Sequence, residues 1–97
     1  MFIKLFKLNR RRNSGNEEFY LSEVLVNSQQ IIYMSEDHES ISLMREGKLN
    51  LGLHSSASFT KIRLSSREGT EEIVVAESPS IIEGKMLTKS TKRLLRD

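Results

Sequence analysis

The chain has 97 residues, 37% of them hydrophobic and 29% charged, with a formal net charge of +2 and no cysteine. This is one domain of ordinary globular composition, and it excludes a disulfide framework, a thiolate metal site and a cysteine nucleophile. The small net charge is no signature of a nucleic-acid binder, but its layout is uneven: residues 1–12 carry five bases and no acid, residues 86–97 carry four bases against Asp97, and the stretch between sums to −6.

The opening "MFIKLFKL" is broken by Lys4 and Lys7 and followed by arginines, the reverse of the charge order of a signal peptide. No stretch approaches the ~20 apolar residues of a membrane span. A soluble, cytoplasmic protein without membrane contact is expected. Residues 1–8 predict a first strand, with Ile3 and Leu5 on one face and Phe2, Lys4 and Phe6 on the other. Residues 9–16 contain "NRRRNSG" and predict a basic hairpin tip that carries Arg10, Arg11 and Arg12 on an exposed loop. The aromatic and β-branched run "EEFYLSEVLV" predicts the return strand. Asn27 or Ser28 then suits the cap of a single helical turn ahead of a short strand, "IIYM".

Residues 37–58 predict an inserted loop and hairpin. "SEDHES" reads as a polar loop, and "ISLMREGKLNLGLHS" alternates through Ile41 and Leu43, turns at Arg45–Lys48 around Gly47, and returns through Leu49, Leu51 and Leu53. A helix over Glu36–Glu46, ended by Gly47, is the competing reading; the hairpin is preferred. "FTKIRLSSREGTEEIVVAES" predicts a hairpin turning at Gly69. Ser78 and Pro79 have the types of a helix cap and first turn, and Gly84 costs the helix about 1 kcal/mol relative to alanine. If the helix passes Gly84, then Lys85, Lys89, Lys92, Arg93 and Arg96 share an arc of about 100°; otherwise residues 88–97 form a basic tail. The expected fold is a single mainly β (α+β) domain over residues 1–97: a small antiparallel sheet or partly open barrel with one C-terminal helix.

Taken together, "FIKLFKL", "EFYL", the step from Val26-Asn27 to Ile31, "TKIRLSSREGTEEIVVAES" and "IIEGKM" resemble the small FlbD-type flagellar proteins and similar short bacteriophage proteins. In that family a strand and hairpin lead through a V-N or L-N turn to a second hairpin around a glycine, then to a helix reached through an E-S step. The chain departs from the family by its insertion around Asp37–Ser58 and by extending past the family's helix. The resemblance implies a fold and a flagellar or phage setting, and it assigns no site residue.

Chemistry is sparse. His38 lies among Glu36, Asp37 and Glu39 without the ligand spacing or the glycine of a calcium loop. His54 has serines after it but no nearby acid and no G-x-S-x-G elbow. "REGT" lacks the second glycine and the lysine of a phosphate-binding loop, so Gly47 and Gly69 are read as turn residues. With no nucleophile–base–orienter set to assemble, the expected function is non-enzymatic and cofactor-free. The primary reading is a binding or regulatory module whose partner is a protein, met through Leu49, Leu51, Leu53, Tyr33 and Phe59. Open strand edges also invite a homodimer. The alternative is an accessory protein that grips nucleic acid with Arg10, Arg11, Arg12, Lys89, Lys92, Arg93 and Arg96.

Overall fold

A computed structural model of the chain describes residues 1–53 and 57–96, with side chains through Leu87 only. In chain order the elements are β1 (Phe2–Asn13), β2 (Asn16–Asn27), a 3₁₀ turn (Ser28–Gln30), β3 (Ile31–Glu36), α1 (His38–Arg45), β4 (Thr60–Ser66), β5 (Gly69–Val75) and α2 (Pro79–Arg96). The strands form one antiparallel sheet in the order β2-β1-β5-β4-β3. The sheet is open, with β2 and β3 as its two edges, so the mainly β expectation holds as a sheet and not as a barrel. Two helices accompany it where one was expected.

β1 and β2 pair in one uninterrupted register from Phe2↔Asn27 to Asn13↔Asn16. Ser14 (φ 53°) and Gly15 (φ 81°) alone make the turn, both in the left-handed region that a two-residue type I′ turn requires. The expected basic loop is therefore strand. Arg10, Arg11 and Arg12 lie opposite Phe19, Glu18 and Glu17, and such opposite-charge and cation–aromatic cross-strand pairs stabilise a solvated ribbon as well as a loop would accommodate it.

The two faces of the sheet are packed separately. Ile3, Leu5 and Val26 join Ile62, Leu64, Ile73 and Val75 against Ile82 of α2. On the opposite face Leu8, Phe19 and Val74 pack with Met44, Leu49 and Phe59, flanked by Ile41 and Leu43 of α1. Each large apolar side chain taken fully out of water contributes about 1.5–3 kcal/mol. The sheet is thus a middle layer, with α2 on one side and α1 and the segment after it on the other.

The preferred hairpin over residues 41–53 is corrected to the competing helix. Asp37 caps α1, accepting from the backbone N–H of Ser40 at 3.3 Å and from the Ser40 hydroxyl. At the other end Gly47 (φ 72°) follows the last turn, with Gly47 N–H donating to Met44 O at 3.1 Å and Lys48 N–H to Leu43 O at 2.9 Å. That pair of bonds is a Schellman C-cap. On a helix Ile41 and Leu43 are about 200° apart and flank the buried Met44 from either side, and Leu49, Leu51 and Leu53 belong to no strand. Elsewhere local signals hold. Asn27 caps the 3₁₀ turn through Gln29 N–H at 3.1 Å, Gly69 (φ 122°) follows the β4–β5 turn, and Ser78 Oγ accepts from Ile81 N–H at 3.3 Å at the start of α2. The helix runs through Gly84 without a break.

Candidate protein interface

The arginines of the ribbon are already engaged. Arg10 lies 5.2 Å from the centre of the Phe19 ring, with Glu17 at 3.9 Å and Glu39 of α1 at 3.8 Å. Arg11 lies 5.1 Å from the centre of the Tyr20 ring and opposite Glu18. Arg12 is opposite Glu17. The charge of Arg10 is offset by two carboxylates at under 4 Å, and Glu18 and Glu17 are the cross-strand neighbours of Arg11 and Arg12, which weakens the field the three offer a phosphate backbone. Lys89, Lys92, Arg93 and Arg96 belong to the span of α2, and their side chains lie outside the described residues.

The five residues expected at a protein interface divide. Phe59 is fully buried and Leu49 is 5% exposed, so both are core and not contact surface. The reason is α1, which brings the following segment down onto Leu8, Phe19 and Val74. Leu51 is half-buried in the same cluster. Leu53 and Tyr33 are exposed. Tyr33 lies on β3, and its hydroxyl accepts from Arg63 Nε at 3.1 Å. That contact comes first in holding the Arg63 pKa above its ordinary value, with Glu72, paired to the guanidinium at 3.0 Å, acting the same way.

A surface that sequence reasoning missed lies on the inner half of the ribbon. Phe2, Phe6 and Leu25 are 59%, 49% and 64% exposed. Cross-strand pairing puts them on one face, because Phe2 is opposite Asn27, Lys4 opposite Leu25 and Phe6 opposite Glu23. The Lys4–Glu23 ion pair, at 3.6 Å, lies among them. Further along this face Leu8 and Phe19 are covered by the cluster under α1, but the cover stops short of Phe6. The opposite face of the same strands holds Ile3, Leu5 and Val26 in the core. The signal was present in the alternation itself, since β1 is apolar on both faces.

One cleft, of about 270 Å³, lies where β1 and β5 part, lined by Arg10, Asp37, Glu39, Lys61 and Glu72 among others. Its charges satisfy one another. Asp37 spends one oxygen on the helix cap and places the other 3.9 Å from Lys61, which is also 3.9 Å from Glu72. His38, expected in an acidic loop, is an exposed residue of the first turn of α1. His54 lies outside the described residues. Among the described residues no group of three or more metal-ligating side chains converges, and no helix is long and apolar enough to cross a membrane. No protein-family model, curated protein or solved structure matches the chain.

Proposed function

We propose that the chain is a non-enzymatic binding module that works by protein–protein contact through the ribbon formed by β1 and β2. The observation that carries this reading is the strip of Phe2, Phe6 and Leu25, exposed side by side on a strand pair whose other face is core. Contiguous exposed apolar and aromatic residues of this kind favour a partner that offers an apolar surface of its own. The resemblance to small FlbD-type flagellar proteins and short phage proteins offers a multiprotein assembly as the setting. Capture from the native host followed by mass spectrometry tests the reading. A Phe2→Ser/Phe6→Ser variant that keeps its circular dichroism spectrum is expected to lose the proteins that the unsubstituted chain retains. Equal capture by both would sink the proposal.

The nucleic-acid alternative draws on the run Arg10–Arg12. Against it stand Glu17, Glu18 and Glu39, which face those arginines. A phosphate-binding surface would give a log–log salt slope of about −0.7 to −0.9 per phosphate neutralised. The expected result is no measurable change in fluorescence anisotropy of a labelled oligonucleotide at ~50 mM salt, a condition under which phosphate contacts are strong.

A further inference from the structure

The outer edge of β2 carries a bonding pattern that nothing in the chain completes among the described residues. Phe6 O accepts from the N–H of Ala76 at 2.9 Å, so even-numbered residues of β1 turn their peptide groups toward β5 and odd-numbered ones toward β2. Lys7 pairs with Ser22, and the parity continues across the ladder. Even-numbered residues of β2 bond back to β1, while Glu17, Phe19, Leu21, Glu23 and Leu25 aim their N–H and C=O groups out of the sheet. Natural edges are usually blunted by a bulge, a proline, charged side chains (lysine above all) or shortness. β2 has 12 residues in unbroken register with no bulge, proline or lysine, and its only charges are Glu17, Glu18 and Glu23.

We propose that this edge is occupied by β2 of a second copy of the chain, antiparallel, about a twofold axis through Ser22. The side chains select that register from those that keep like faces together. Centred on Ser22, it sets Phe19 against Leu25 and Tyr20 against Val24, each pair occurring twice by symmetry, and it opposes no two carboxylates. Centred on Leu21, it sets Phe19 against Glu23 and Glu17 against Leu25. Centred on Tyr20, it sets Glu17 against Glu23, and centred on Glu23 that carboxylate meets itself. Aromatic–aliphatic cross-strand pairs are favourable and like charges directly opposite are not. Charge places no other barrier, because Glu23 is 3.6 Å from Lys4, Glu17 is 3.9 Å from Arg10 and Glu18 lies opposite Arg11 within each ribbon. The contact also supports the outer half of the ribbon. β1 meets β5 in register at Lys7↔Val75 alone, and a two-stranded hairpin without further support is marginal in water.

The edge contact goes beyond the apolar strip: Phe2 and Phe6 take no part in it, so the two readings fail separately. Light scattering on the eluting full chain is expected to give twice its 11.2 kDa mass. Glu23→Pro removes an outward N–H that the single chain does not use, and it is expected to return the mass to one chain with the β spectrum kept. The chain has no cysteine, so Ser22→Cys places a lone thiol on the axis. A non-hydrogen-bonded antiparallel pair holds its Cα atoms ~4.5 Å apart, inside the ~4.4–6.8 Å range of a disulfide. Mild oxidation is then expected to link most of the Ser22→Cys chains in pairs and to leave Tyr20→Cys chains single. A single-chain mass for the unsubstituted protein overturns the proposal, and a dimer in which Ser22→Cys fails to link overturns the register. A Phe6→Ser variant is expected to stay dimeric; if it elutes as one chain, the contact lies on the face and the edge assignment falls.

Discussion

The two edges of the sheet are built differently. β3 is 6 residues long, its register with β4 is broken by an irregularity between Ile31 and Tyr33, and it sits between a 3₁₀ turn and α1. β2 is twice that length, unbroken, and bordered at its outer end by a two-residue turn. Short, irregular edges resist pairing and long regular ones invite it. The difference is what directs the proposed strand pairing to β2, on the ribbon that also exposes Phe2, Phe6 and Leu25.

The largest test asks whether both edges depend on one core. Phe59 and Ile62 are fully buried, one on each side of the sheet. Phe59→Ala should cost about 3–5 kcal/mol and Ile62→Ala about 2–5 kcal/mol in denaturant unfolding, with protection of β2 and β3 amides lost together. If β2 stays protected while β3 does not, the ribbon is a separate cooperative unit and the two edges are not comparable. Next in size is Asp37→Ala, which removes the cap of α1 and leaves Lys61 with Glu72 alone. A loss of about 1–2 kcal/mol is expected, with faster hydrogen exchange in α1 and little change in β2.

Gly15→Ala addresses the β2 edge from its turn. With φ at 81°, an added Cβ costs about 1–2 kcal/mol from backbone sterics alone. Exchange should rise in the outer halves of β1 and β2 and stay unchanged in the β4–β5 hairpin; a uniform rise would show that the ribbon is as tightly coupled to the core as β3 is. The smallest effect is expected from replacing Arg10, Arg11 and Arg12 with serine. Exposed ion pairs and cation–aromatic contacts at the surface contribute little, so the melting temperature should move by no more than a stability change of about 1 kcal/mol would produce. A larger loss would mean that the ribbon's charged pairs, and not only its backbone ladder, hold the outer half of β2 in place.

Much of the fold was legible because its signals are local. The alternation of Ile3 and Leu5, the capping side chain of Asn27, the glycine after the β4–β5 turn and the Ser78–Pro79 helix start each act within a few residues, and the structure keeps all of them. The end of α1 at Gly47 was readable in the same way, yet its short apolar run was ambiguous, since Ile41 and Leu43 suit period two while Ile41 and Met44 suit period 3.6. Packing of Met44, Leu49 and Phe59 onto Leu8, Phe19 and Val74 is what resolves it.

What the sequence by itself determined, then, is a mainly β chain with its turns, caps and strand faces, because these depend on neighbours in the chain. Only the tertiary structure decided that β1 lies beside β5, that the expected interface residues Leu49 and Phe59 are core, and that Phe2, Phe6 and Leu25 are left exposed. Strand order and burial are set by contacts between residues far apart in sequence, where alternation shows that a strand has two faces but not which of them another layer will cover.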